Sequence, residues 1–460
     1  MSRKLWAVLA LLLSFALVAA ACGSDDDDDG GSDDSGSSTT VAADGGDDSA
    51  DDGGDGGEAS SSFVTLDDAC AAAEGLQAPE GFRVNLVTDI GKVDDGTFNQ
   101  FAFEGLQAAI DCFGIAESDF VETVSEADYE ANIGTMLESE PNALITVGFL
   151  ITSDTEAAAN ANPDVSFIGI DQFLPEYPAN MAGVVFNEDE SGYIAGTLAA
   201  SLSETGVIGV VAGREDVPPV VKFVNGYTVG AQAVNPDISV LSVYNESFTD
   251  IAKGASDAAQ FIGEGADVIF GAGGQTGSGG IAAAAEQGVW AIGVDQDEYF
   301  TTFSSGEAPG SEFLASSAIK RVDLVTFRLI QSAIEEAFLS GILVGTAAND
   351  LITYAEAHDA DLPAEAVEAT EAARLGLAVG NITTGICGID GLFLGENSAC
   401  DESSGDDTTT TGAPETTGAP ETTGAPETTG APESTTTTAS PGGGVAGKTP
   451  VSDSGLGLVP

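Results

Sequence analysis

The chain has 460 residues, with 75 acidic against 12 basic side chains, a formal net charge of −63 and a single histidine. A surface of that sign repels nucleic acid, and one His leaves little from which to build a zinc site. Residues 23–60 and 401–460 are mostly small and polar and cannot bury enough surface to offset their ordering entropy, so a core is confined to about residues 65–400, room for two domains. Those two segments carry 14 and nine of the acidic residues, which leaves 52 acidic against nine basic in the body. The folded part is therefore itself acidic, which suits either a specific partner or, the plainer reading, a solvated surface in a saline medium.

Arg3 and Lys4, the apolar run over 5–18 and the small residues Ala19, Ala20 and Ala21 read as an export signal. Cys22 follows at once, ahead of an Asp run. The arrangement resembles the lipobox of bacterial lipoproteins, in which the cysteine is acylated and the chain is cut before it; Ala19 stands where that pattern favours Leu. The resemblance implies a signal peptide over 1–22, a lipid anchor on Cys22 and, over 23–64, an acidic tether that self-repulsion keeps extended. The apolar stretch 5–21 is at the short limit for a membrane span, and no second stretch of that length follows.

Cys22 apart, four cysteines remain: Cys70, Cys112, Cys387 and Cys400. An even number outside the cytoplasm suggests two disulfides, with three possible pairings. Cys70 precedes the first expected strand and Cys112 ends the first helix, while Cys387 and Cys400 are close neighbours in a loop-like stretch. The favoured pairing is Cys70–Cys112 with Cys387–Cys400.

The body alternates apolar, β-rich runs with helix-like segments. Residues 84–88 read as the first strand and 98–112 as the first helix. Strands follow at 143–147, 165–170, 207–211, 239–244, 267–270 and 290–294. Near-continuous apolar strands separated by helices indicate parallel sheets covered on both faces, an α/β class. In such sheets ligands bind beyond the carboxyl ends of the strands. Those ends carry Thr88-Asp89, Gly148-Phe149, Asp171, Ala212-Gly213, the glycine run over 271–280 and Asp295-Gln296-Asp297. Short carboxylates, an amide, a ring and glycines there suit a polar small molecule with a flat apolar face. Each also has a plainer role: the Asp residues and Asn99 can cap the helices that follow, Phe98 can be core, and Lys320 can be a solvated helix residue.

The glycine run lacks the Gly-Lys-Ser/Thr ending of a phosphate loop. It reads as a tight turn whose backbone, at Gly274, approaches a ligand, and the surrounding carboxylates disfavour a phosphorylated one. No Gly-x-Ser-x-Gly elbow, metal cluster or dinucleotide fingerprint occurs, and His358 is not part of a Ser or Cys motif. No enzyme activity, cofactor or metal is expected; the rival from that class is an extracellular hydrolase acting on the same ligand.

Val87-Thr88-Asp89 through Phe98-Asn99-Gln100 and Glu104-Gly105 resembles the opening signature of the basic membrane protein family. These are substrate-binding lipoproteins of ABC transporters, among them purine-nucleoside receptors. The similarity continues through Gly148-Phe149, Phe167 to Asp171, Gly192 to Gly196, Gly273 to Gly277, Gly293 to Asp297 and Ser316 to Asp323. Departures are Thr97 where Ser is usual, Lys92 in place of a Gly, and Gln275 interrupting a Gly-Gly-Thr-Gly.

The resemblance implies a type I periplasmic-binding-protein fold over residues 65–400, with two Rossmann-like lobes, a three-crossing hinge and a ligand in the cleft. Asp89, Phe98 and Asn99 would line the site from the first lobe. Phe98 would stack on a base whose edge Asn99 and Asp171 read. Asp295 would accept from ribose hydroxyls, Lys320 would donate to the sugar, and Phe223, in the helix after Pro218-Pro219, would supply a second ring. Implied partners are a nucleoside and ABC permease subunits, for a monomeric protein anchored outside the cell membrane. A receptor that presents its ligand to a membrane sensor, and another polar ring compound as ligand, both stay open. Residues 411–434 repeat Thr-Gly-Ala-Pro-Glu-Thr about every six residues, an extended stalk in composition.

Overall fold

A computed structural model of the chain describes residues 64–401. The export signal, Cys22, the acidic tether and the Thr/Pro tail lie outside the described residues. Strands β1 (Val84–Ile90), β2 (Phe120–Thr123), β3 (Ala143–Val147), β4 (Ser166–Ile170), β5 (Met181–Phe186) and β11 (Gly341–Gly345) form one sheet in the order β11-β5-β4-β3-β1-β2. All its pairings are parallel. Strands β6 (Val207–Ala212), β7 (Ser239–Tyr244), β8 (Val268–Ala272), β9 (Trp290–Asp295), β10 (Leu314–Lys320) and β12 (Ile352–Tyr354) form the second, in the order β12-β10-β9-β8-β6-β7, with only β12 antiparallel. The chain passes between sheets after β5, after β10 and after β11. This is the two-lobed, three-crossing α/β architecture expected from the sequence.

The inner strands are buried on both faces, which is why they read as unbroken apolar runs. The runs named from the sequence omit β2, β5, β10, β11 and β12. β2 is a half-exposed edge, and β10 carries Ser316, Ser317 and Lys320 inside a buried strand. Asp267, expected to open β8, stands before it. Its carboxylate instead takes the N–H groups of Glu204 at 2.7 Å and Thr205 at 2.8 Å, closing the turn into β6.

Both crossing helices pack in the lobe they lead toward. Helix Glu188–Leu202, which follows β5, joins the second lobe against helix Pro218–Val234. Glycines spaced by four permit that approach: a Cβ at Gly196 would lie 2.0 Å from the Tyr227 carbonyl oxygen, and one at Gly230 2.1 Å from that of Tyr193. Helix Val322–Ile334, which follows β10, packs in the core of the first lobe. Each lobe thus includes a helix reached from a strand of the other.

Cys70 is bonded to Cys112, tying helix Leu66–Ala72 to helix Phe98–Phe113, and Cys387 is bonded to Cys400. The first bond spans 42 residues of sequence, for which chain-entropy arguments give about 4 kcal/mol of stabilisation. The Cys70→Ser/Cys112→Ser variant is expected to lose roughly that much in urea unfolding, an upper value since native relaxation reduces it. An unchanged midpoint would show the helix held by packing alone. Among the described residues no helix is long and apolar enough to cross a membrane.

Candidate functional site

The carboxyl ends of both sheets face one cleft. Asp89 reaches it from β1 and Phe98 and Asn99 from the start of helix Phe98–Phe113. Asp171 follows β4, Phe223 projects from helix Pro218–Val234, Gly274 opens helix Gly274–Ala285, and Asp295 and Lys320 end β9 and β10. All eight residues singled out in the sequence line this cleft. Asp171 (φ 59°) and Asp295 (φ 67°) occupy corresponding places in the two lobes, and both have left-handed backbones. That conformation costs a side-chain-bearing residue about 1–2 kcal/mol. Such strain collects where geometry must aim a group, and here it aims two carboxylates at the same space.

Lys320 lies between them, 2 % exposed. Its Nζ donates to Asp171 Oδ2 at 2.5 Å and to Glu188 Oε1 at 3.3 Å, and lies 3.8 Å from Asp295 Oδ1. The three carboxylates come from the first lobe, a crossing helix and the second lobe. The ammonium also stands 4.5 Å from the centre of the Phe98 ring, a cation–π contact. Behind it, Lys222 pairs with the other oxygen of Glu188 and donates to the Phe186 carbonyl at 2.6 Å.

Burial dominates the electrostatics. It pushes Asp295 up to about 7, against the pull of Lys320 and with the repulsion of Asp171. It likewise raises Asp171 to about 6, offset by Lys320, and Asp89 to about 6, offset by the hydroxyl of Tyr129. Glu188 is the exception: Lys222 and Lys320 together outweigh its burial and hold its carboxyl below the usual range. Glu298, fully buried behind β9, is raised to about 7 while its oxygens take the Val294 N–H at 3.0 Å and the Thr302 hydroxyl at 2.5 Å. The site therefore holds more acids than cations, and protonation near neutral pH balances it.

The cap of helix Phe98–Phe113 is Asp95, not Asn99. The Asp95 carboxylate takes the N–H groups of Thr97, Asn99 and Gln100 at 2.9–3.1 Å and the Asn99 amide at 3.0 Å. Asn99 accepts from the Asp89 N–H at 2.9 Å. Its side chain is thus largely committed to joining this loop to β1, which leaves one amide N–H for the cleft. Asp89 is confined from the far side by Gly148, where a Cβ would lie 2.0 Å from Asp89 Oδ2.

Apolar walls complete the cleft. Phe149 and Phe248 join Phe98 and Phe223, with Val217, Pro219 and Val220 beside them. Phe223, 4 % exposed, lines the cleft and is also part of the second lobe's core. Glu188, Lys222, Asp95 and Phe248 were not singled out from the sequence. Lys222 carried a usable signal, a rare basic residue inside the apolar run Pro218-Pro219-Val220-Val221; Glu188 carried none among so many acids.

The lobes also meet directly. Gln296 Nε2 donates to the Thr97 carbonyl at 3.0 Å, Thr301 Oγ1 to the Gly96 carbonyl at 2.8 Å, and Arg214 pairs with Glu126. His358 stands apart from the cleft wall, bonded to Asp297 at 2.7 Å and stacked on Tyr299. Among the described residues no group of His, Cys, Asp and Glu could hold a metal ion.

The profile of the family described as "ABC transporter substrate-binding protein PnrA-like" matches residues 82–350. The chain is 33% identical over 275 residues to the "ABC transporter nucleoside-binding protein BmpA" of Lactococcus lactis, covering 57% of this chain and 78% of that protein. It is 30% identical over 264 residues to the "CD4+ T-cell-stimulating antigen" of Listeria monocytogenes, covering 54% and 72%. Among solved structures, an ABC transporter solute-binding protein from Aeropyrum pernix superposes with a TM-score of 0.58 at 23% identity, covering 66% of this chain and 92% of that one. This last likeness concerns the fold.

Proposed function

We propose a function from a plain premise: the chain belongs to the family of PnrA-like ABC transporter substrate-binding proteins. It binds a purine nucleoside between its lobes and delivers it to a permease, from an extracytoplasmic membrane face to which Cys22 anchors it. The observation that carries the ligand class is the pairing of strand-end carboxylates with ring walls in one cleft. A planar base fits between apolar rings, and ionised Asp295 accepts from vicinal hydroxyls through charge-assisted bonds. Asp171 Oδ1 has no hydrogen-bond partner among the described residues, so it can take an N–H from the base edge. Lys320, with two of its three protons directed at Asp171 and Glu188, keeps one for the sugar beside Asp295. The acid excess suits a neutral ligand over a phosphorylated one. The nucleoside-binding name of the Lactococcus relative supports the same class.

Calorimetric titration with inosine, guanosine, adenosine, cytidine and ribose tests this. Purine nucleosides are expected to bind at micromolar dissociation constants or tighter, and ribose alone far more weakly. If none of the purine nucleosides releases or takes up heat, the assignment falls.

A further inference from the structure

Residues 381–401 contribute nothing to the cleft wall, yet they sit on the two helices that carry its buried charges. Thr384 donates its hydroxyl to Asp189 on helix Glu188–Leu202. Asn225, on helix Pro218–Val234, donates to the Gly391 carbonyl at 2.7 Å. Gly391 presses so closely on that helix that a Cβ there would lie 2.9 Å from the Lys222 backbone nitrogen and 3.0 Å from Lys222 Cγ. Gly388 and Ile389 wall a narrow crevice together with Asp171, Glu188 and Lys222. The bond from Cys387, itself 1 % exposed, to Cys400 closes this loop.

Beneath the loop the charges form a chain. Lys222 pairs with Glu188, Glu188 faces Lys320 at 3.3 Å, and Lys320 bridges Asp171 of the first lobe toward Asp295 of the second. Coulomb attraction of this kind is strong only while water is kept out. We propose that the Cys387–Cys400 loop and Lys222 are positioning groups for ligand binding: the loop seals Lys222 against Glu188, and Glu188 thereby fixes Lys320 between the lobes. Neither group touches the ligand. When the loop opens, water screens the Lys222–Glu188 pair, Lys320 loses one of its three fixed neighbours, and the lobes part more readily.

The affinity arm of the test rests on the nucleoside reading; the scattering arm does not. Cys387→Ser/Cys400→Ser and Lys222→Met are each expected to weaken inosine binding about tenfold, in the range of couplings transmitted without ligand contact. Each is also expected to enlarge the radius of gyration of the ligand-free protein in solution scattering. Combined, they should do no more than either alone, because they act through one link. Asn225→Leu keeps the cystine but removes the anchor on Gly391, and is expected to shift both readouts in the same direction, about threefold in affinity. That variant serves if the serine pair folds poorly. Losses that multiply in the combined variant, or a loop variant with unchanged scattering and affinity, overturn the proposal. If the wild-type protein takes no nucleoside, the ligand assignment fails while scattering still decides the role of the loop.

Discussion

Lys320→Met is expected to destabilise the ligand-free protein strongly at pH 8 and only slightly at pH 5. Among the described residues the ammonium is the one cation that faces Asp171, Glu188 and Asp295 together. Its removal leaves buried carboxylates with too little opposite charge, and breaking a buried pair in this way costs about 3–5 kcal/mol. The loss depends on pH because the acids can escape it by protonation. Asp171 and Asp295 already sit near 6 and 7, against an ordinary value of 3.8, with Lys320 pulling them down. Without Lys320 both move further up. An acid whose folded pKa is raised contributes stability that is complete below its unfolded value and is lost as pH rises through the folded value. The deficit of the variant should therefore be greatest above about pH 7 and shrink as the pH falls toward 4, within the window set by those values. Urea unfolding at pH 5 and pH 8 measures it. An equal loss at both would mean that packing of the Lys320 stem, not its charge, holds the site.

The wild-type protein shares the trend in weaker form. Asp89 near 6 and Glu298 near 7 add to Asp171 and Asp295, so the empty protein should melt at a lower temperature at pH 8 than at pH 5. Bound ligand reverses part of this, since donors on the ligand favour the ionised acids.

That reversal underlies the second large effect. Asp295→Asn is expected to weaken inosine binding at least a hundredfold at pH 8, since hydrogen bonds to a charged acceptor are worth about 1.5–3 kcal/mol each and the ribose diol offers two. The amide keeps the shape and can still accept, so the loss reports the charge. In the wild-type protein the affinity should rise as the pH climbs through 6 to 8, as Asp295, near 7 when empty, becomes ionised. In the variant the steepest part of that rise should vanish. Calorimetry across pH 5–8 on both proteins is decisive: a wild-type profile that is flat, or one that survives unaltered in the variant, removes Asp295 as the diol acceptor.

Much of the site was legible because parallel sheets place ligands at strand ends. Asp89, Asp171 and Asp295 could be picked out by their positions after apolar runs, while Lys320 entered through the resemblance to the basic membrane proteins. The scarcity of cations in the body pointed to Lys222, which sits between the apolar runs Pro218 to Val221 and Phe223-Val224, and there it was overlooked. Glu188 was beyond reach for a different reason. Its burial comes from a crossing helix that leaves one lobe and packs in the other, a tertiary fact with no local pattern among 75 acids. Asn99 shows the limit of motif reading: the residue lies at the cleft, yet most of its amide serves Asp95 and β1. The edge strand β2 is half exposed, and β12, though buried, is only three residues long, so neither shows an apolar period.

The exchange of helices between lobes also governs when the chain can fold. The first sheet lacks its edge strand until residue 345 has been made, and its core lacks helix Val322–Ile334 until just before that. A fragment ending after β5 would expose the apolar face that this helix covers. Such long-range closure is slow, and during synthesis it keeps the N-terminal half without a finished core while most of the chain is still emerging.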